Sequence, residues 1–485
     1  MKKQGLYEKL IEYSKNGRYP FHMPGHKRIG RLFECNNVST SDGEKQLDPY
    51  DIDLTEIEGF DNLHGAQGII KEAQHYASNF LGAKKTWFLV NGSTCGLHSA
   101  INAVCDIGDT IIVARNCHKA VFHAIENRNL NGVYYTPKFD EKLKMFGAVE
   151  PEVIAKLLEA NPDAKALVIT SPTYDGVVSN IEAISQITKK HGCVLIVDEA
   201  HGAHFGVSDC MPIPSYKKGA DIVVESAHKT LEAMTQTGLL HLGSDAVSPE
   251  KIEQQLAIYG TSSPSYVLMA SIDKSINIAE QQGDKKLREL LTRIQKFRDF
   301  VNNLECFYVP YDELKTNLQA DSIDETKVSV CVAKNVITGE QLSEMLREHG
   351  IEVEMATSNR VLFYCTMGDD LKAFNLAEEA LASIDQKIAD YNPANEDYVK
   401  INNVGTLESK MTIYAASRCD KKRIPVEDAL GQVAADYVFL YPPGNPLIVP
   451  GEVINQELIS VIEESLRLGL NIYNVDNGII NVVDE

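Results

Sequence analysis

The residues best suited to chemistry are Asp198 and Lys229, which lie 31 positions apart. Asp198 ends the apolar run Val194-Leu195-Ile196-Val197. Such a run reads as a buried parallel strand that delivers a carboxylate at its C-terminal end. A second run, Asp221-Ile222-Val223-Val224-Glu225, is followed by Ser226-Ala227-His228-Lys229. Ligands of open α/β sheets bind beyond the carboxyl ends of the strands. A lysine and a carboxylate on adjacent strand tips are what pyridoxal phosphate (PLP) requires. The lysine supplies a Schiff-base amine, and the acid keeps the pyridine nitrogen protonated so that the ring accepts electrons. Taken singly, an Asp after an apolar run is often a helix cap, and a His-Lys pair is usually a solvated surface pair.

The other parts of such a site are in the right order. Thr86-Trp87-Phe88-Leu89-Val90 reads as a strand, Asn91-Gly92-Ser93-Thr94-Cys95-Gly96 as a polar turn, and Leu97 to Ile101 as a helix start. A helix N-terminus offers unpaired N–H groups and a positive dipole end to a phosphate. Ser93 and Thr94 add hydroxyls, although Ser and Thr are also ordinary N-caps. A strand at Thr110–Arg115 leads to Asn116-Cys117-His118-Lys119. His118 reads either as a helix cap or as a ring that stacks on the cofactor. A strand at Ala166–Thr170 leads to Ser171-Pro172-Thr173, where Thr173 can bond the cofactor's ring hydroxyl.

These stretches, with Phe21-His22-Met23-Pro24-Gly25-His26-Lys27, Asp198-Glu199-Ala200-His201-Gly202, Ser226-Ala227-His228-Lys229-Thr230-Leu231 and Tyr441-Pro442-Pro443-Gly444, occur in one order over nearly the whole chain. Together they resemble the Orn/Lys/Arg decarboxylase family, bacterial fold-type-I PLP enzymes acting on basic amino acids. The resemblance implies Lys229 as Schiff-base lysine, Asp198 as pyridinium partner and His118 as stacking residue. It places Ser93, Thr94, Ser226 and His228 at the phosphate end, with Ala200 and His201 also at the cofactor. Thr261-Ser262-Ser263 resembles the segment that a neighbouring subunit lends to the phosphate, so a homodimer with shared active sites is expected. Because Pro24-Gly25-His26 lies near the start, the N-terminal wing domain of larger members is expected to be missing. Glu232, Asn445 and the Asp61–Gly68 segment depart from the family pattern.

The fold expected is α/β: a fold-type-I PLP-transferase-like large domain with a mostly parallel sheet, plus smaller α+β C-terminal domains. The boundaries expected are an arm to residue 60, a PLP-binding domain at 61–300, a small domain at 301–390 and a C-terminal domain at 391–485. Leu6, Leu10 and Tyr13 share one face of a short helix in the arm, and 390–405 reads as a linker. Strand–helix alternation supports the parallel sheet, the Ala66–Leu81 stretch an amphipathic helix, and Val267–Leu304 a long helical link.

Composition narrows the partners. The 485 residues carry a net charge of −21, which argues against nucleic acid and anionic membranes and suits a cationic substrate. No apolar run is long enough to span a membrane, and Met1-Lys2-Lys3 is not followed by a signal-peptide core. Ten scattered cysteines without a Cys-x-x-Cys pattern read as reduced cytoplasmic thiols. No metal site is expected. Arginine is favoured as substrate ahead of lysine and ornithine, with Glu232, Glu352 and Glu354 as candidates for its distal charge. His201 and His204 read equally as substrate contacts or as packing. The competing reading is an aminotransferase or α-oxoamine-synthase-type reaction, which would use Arg360 or Arg418 to grip a carboxylate.

Overall fold

In the computed structural model the chain is described at residues 19–22, 25–27, 49–333, 336–390, 404–440, 445–467 and 471–484. The helix expected around Leu6 to Tyr13, most of the linker and the Tyr441–Gly444 motif lie outside these residues.

The amphipathic stretch forms helix α1 (Ile69–Leu81), which ends at Gly82 in the left-handed conformation (φ 80°), where a side chain is disfavoured. Seven strands then build the main sheet: β1 (Lys85–Leu89), β2 (Thr110–Ala114), β3 (Asn131–Tyr135), β4 (Ala166–Thr170), β5 (Val194–Asp198), β6 (Ile222–Glu225) and β7 (Gly238–Leu242), in the order β1-β7-β6-β5-β4-β2-β3. All neighbours are parallel except β7, which runs antiparallel to both β6 and β1. The central strands are buried almost throughout because helices cover both faces, which explains their continuous apolar runs.

Register aligns the strand tips. Asp198 pairs with Thr170 on one side and Val224 on the other. The residues following β2, β4, β5 and β6 therefore emerge along a single edge. Helix α2 (Gly92–Val104) lies against this sheet and is buried from Cys95 to Ala103. Its close approach depends on Gly96: a Cβ there would stand 2.7 Å from Leu89 Cδ1 and 2.8 Å from Val224 Cγ1.

The expected long helical link is Tyr266–Ile278, a π-helical turn at Ala279–Gly283, and Asp284–Val301. It leads to a four-stranded antiparallel sheet of β8 (Phe307–Tyr308), β9 (Lys327–Val332), β10 (Met355–Thr357) and β11 (Arg360–Tyr364), ordered β8-β9-β11-β10. The arm joins this unit. Tyr19–Phe21 pairs with Ile351–Val353, and Phe21 sits edge-on to Phe363 and Phe374. A last unit has its own core, in which Val438 and Ile448 pack with Leu458 and Ile462 of the helix Gln456–Arg467. It is tied to the main sheet by a buried ion pair, Arg115 Nη2 to Glu452 Oε2 at 3.2 Å.

Gly96→Val is expected to destabilise the protein by about 1–3 kcal/mol, the usual cost of overpacking a filled core. Thermal or denaturant unfolding measures this; an unchanged midpoint would show that α2 does not depend on the close approach.

Candidate active site

Lys229 reaches the tip of β5 through a single helical turn, α4 (Ala227–Thr230), which starts two residues after β6. A cavity of about 730 Å³ opens here, and Asp198, Lys229, His118, Ser93, Thr173, Ala200 and His201 all line it. Asp198 is buried and accepts the Ala200 N–H at 3.2 Å. Burial pushes its carboxyl up, against the pull of the Lys229 ammonium. Burial likewise pushes Lys229 down, opposed by the charges of Asp198 and Glu354. Each charge thus stabilises the other in a setting that disfavours both.

The Lys229 amine is hydrogen-bonded to His201 Nε2 (3.1 Å), and the ring's Nδ1 to Tyr364 Oη (3.0 Å). Burial and the nearby Lys229 and Lys327 hold His201 well below the ordinary histidine range. The Tyr174 ring packs on His201 with centroids 4.5 Å apart. Of the two readings of His118, the structure shows the helix cap. His118 caps helix α3 (Lys119–Arg128), its Nδ1 accepting the Ala120 N–H at 3.2 Å, and it also faces the cavity. Burial, with Lys229 nearby, lowers its pKa to about 4, so the ring is neutral at physiological pH.

Ser93 Oγ, on the cavity wall, is 2.9 Å from the Oγ of Ser226, which is buried and does not itself line the cavity. Asn91 precedes α2 but makes no side-chain cap; its Oδ1 accepts the Thr261 N–H at 3.0 Å instead. The first N–H groups of α2 are therefore not closed off by an Asn91 cap, and Gly92 (φ 75°) turns the chain into the helix.

Other proposed residues do not line the cavity of the single chain. Thr94 is exposed and does not line the cavity. His228 does not line the cavity; its Nδ1 bonds the Thr237 carbonyl at 2.7 Å, and burial lowers its pKa to about 4. Thr261 is held by Asn91 and by His64, whose Nε2 bonds its carbonyl at 2.8 Å, while Ser262 is exposed. His204 lies outside the cavity and bonds Asp324 (3.1 Å), which favours packing over substrate contact.

Among the acids proposed for the distal charge, Glu232 pairs with Lys286 (3.2 Å) and Glu352 with Arg347 (2.7 Å), and neither lines the cavity. Glu354 does line it and accepts from Tyr174 Oη at 2.6 Å. The two arginines considered as carboxylate grips are otherwise engaged. Arg360 holds Asp175 through Nε (3.1 Å) and Nη2 (2.9 Å), with Nη1 on the Leu143 and Lys144 carbonyls. Arg418 lies outside the cavity, stacked on Tyr414 at 3.6 Å.

Several contributors were given no role by the sequence reading. Tyr364 and Tyr174 order His201; Arg115 and Asn116 line the wall beside His118; Asn445 and Leu447 close the cavity from the C-terminal unit. The Gly25–Lys27 segment braces the loop from behind. Gly25 N–H donates to the His228 carbonyl (2.8 Å), and a Cβ on Gly25 would stand 2.5 Å from the Leu231 carbonyl oxygen. Lys27 Nζ donates to the Tyr364 carbonyl at 2.6 Å. The signal available for these residues was the Phe21–Lys27 motif itself, which carried the resemblance without indicating its task.

Comparison with known proteins agrees with this geometry. Residues 4–317 match the family model described as Orn/Lys/Arg decarboxylase, major domain, and residues 395–465 match its C-terminal domain. The chain is 35% identical over 476 residues to the uncharacterized protein YaaO of Bacillus subtilis, covering 96% of this chain and 94% of that protein. It is 32% identical over 481 residues to an arginine decarboxylase of the same organism, covering 99% and 96%. The lysine decarboxylase LdcF of Francisella novicida superposes with a TM-score of 0.77 at 18% identity, over 99% of this chain and 83% of that one, a likeness of fold. With two family models spanning its main and C-terminal units, the chain belongs to the Orn/Lys/Arg decarboxylase family.

Proposed function

We propose that this protein binds PLP in the cavity and decarboxylates a basic amino acid, arginine ahead of lysine and ornithine, to the amine and CO₂, feeding polyamine synthesis. The observation that carries the reading is the placement of Asp198, Lys229 and the uncapped start of α2 around one cavity. The cavity wall also fits a polar aromatic cofactor. Asn116 lines it, and its buried Oδ1 has no hydrogen-bond partner among the described residues.

In this reading Lys229 would hold the cofactor, Asp198 would supply the charge for its pyridine nitrogen, and His118 would pack against it. Ser93, Ser226 and the α2 N–H groups would take the phosphate, and Thr173 and His201 would bond the remaining polar groups. Bound PLP supplies an electron sink for the pair left behind when CO₂ departs. The protein does the rest. Leu97, Met145, Phe146, Met355 and Leu447 give the cavity an apolar lining. That lining favours loss of the carboxylate, whose charge disappears in the transition state. Lys229, whose pKa burial lowers and which contacts His201, would deliver the single proton that the reacting carbon takes up once CO₂ has left.

The assembly proposed is a homodimer with shared sites. In the single chain, Thr261 to Ser263 sit outside the cavity on the far side of Asn91, with Ser262 and Ser263 exposed. Ile57, Phe60 and Ile69 on the adjoining segment are exposed apolar groups. No described helix is long and apolar enough to cross a membrane, and the described cysteines are free thiols. Both support a cytoplasmic setting.

Asp198→Asn is expected to cut the decarboxylation rate by several orders of magnitude while PLP still binds, because the amide keeps the shape but not the charge. A rate within tenfold of wild type, about 1.4 kcal/mol, would contradict the assigned role.

Lys229→Ala chains are expected to be inactive and to lack the absorbance of lysine-bound PLP. Mixed with chains carrying Thr261→Ala and Ser262→Ala, they are expected to regain activity, because one hybrid site would be intact. No recovery after confirmed chain exchange would exclude shared sites.

A further inference from the structure

The acidic groups of the cavity wall are Asp175, Asp198, Glu340 and Glu354. Asp175 is bound by Arg360 on two atoms, and Asp198 faces Lys229 from the neighbouring strand tip. Glu340 lies in the first turn of the helix Gly339–Glu348. Glu354 sits between the strands Ile351–Val353 and β10, and both flanking residues, Val353 and Met355, also line the cavity.

Glu354 is set apart by its surroundings. The Tyr174 hydroxyl donates to its Oε1 at 2.6 Å, and the Tyr174 ring packs on His201, which holds Lys229. A contact chain thus runs from the amine that would hold the cofactor to a carboxylate farther along the wall. The cationic wall residues other than Lys229 are each matched with an acid: Arg115 with Glu452, Lys144 with Glu141, Arg347 with Glu352, and Arg360 with Asp175. The wall therefore presents no cation of its own that lacks a counter-charge, which removes a source of repulsion toward a positively charged side chain.

Building on the proposed decarboxylation, we infer that Glu354, oriented by Tyr174, binds the distal cation of the substrate and sets the preference for basic over neutral side chains. A guanidinium presents its donors in a planar fork that a carboxylate accepts bidentately; an ammonium meets the same oxygens as a point charge. A neutral isostere of the same length forms no ion pair with Glu354, and the missing attraction is the source of selectivity.

The test compares arginine with citrulline, its uncharged isostere, in PLP-loaded wild type, Glu354→Gln and Tyr174→Phe. The glutamine keeps an oxygen that can accept from Tyr174 and removes only the charge. Glu354→Gln is expected to lower kcat/KM for arginine by about 10²-fold, chiefly through KM, with little change for citrulline. Agmatine affinity by calorimetry should fall in parallel. Tyr174→Phe keeps the ring on His201, and is expected to lower the arginine-to-citrulline ratio by a smaller factor.

A general electrostatic effect at Lys229 would instead change both substrates equally and shift the PLP absorbance titration. That outcome, or an unchanged ratio in both variants, overturns the inference while leaving the decarboxylase reading intact. Failure of the wild type to release CO₂ from any basic amino acid would defeat the proposed function, and this inference with it.

Discussion

Everything in this site follows from placing two opposite charges, Asp198 and Lys229, on neighbouring strand tips where water is scarce. Alone, each would be driven toward neutrality by burial; together each limits the shift of the other. The parallel pairing of β5 with β6 sets the lateral spacing, since Asp198 is in register with Val224 and one helical turn later the chain has reached Lys229. The burial of the central strands holds that register, because a slip would misfit side chains that are close-packed on both faces.

The remaining structure holds this pair in its working surroundings. Helix α2 approaches the sheet through Gly96, which brings its N-terminus to the same edge. The small unit contributes Tyr364, and through it His201 is fixed against Lys229. The arm supports Tyr364 from behind through Lys27, and supports the chain on either side of Lys229 through Gly25. The C-terminal unit closes the top and is anchored at Arg115, three residues before His118. Segments distant in sequence therefore meet at one amine, and a change in any of them is felt there.

Much of this was legible in the sequence because the strands announce themselves. Ala166–Thr170 and Val194–Asp198 are apolar runs with a polar terminus, and they form strands with those bounds. Two strands of the sheet carried no such signal. β3 opens with Asn131-Gly132, which reads as a turn, and β7 opens with Gly238 and pairs antiparallel. The distal acid shows a subtler difficulty. Strict alternation would put Glu352 and Glu354 on one face, but the strand breaks after Val353. Glu352 then pairs with Arg347 while Glu354 reaches the cavity. Partners such as Tyr364 for His201 depend on a fold that brings residues 163 positions apart into contact, and no local pattern encodes that.

The central claim is that this arrangement breaks the bond from Cα to the carboxylate of a basic amino acid. Carboxyl-labelled arginine, lysine and ornithine, each incubated with the PLP-loaded protein, test it directly. The account predicts labelled CO₂ and the matching amine in equal amounts, with arginine turned over best. Formation of a keto acid with the label retained would contradict it.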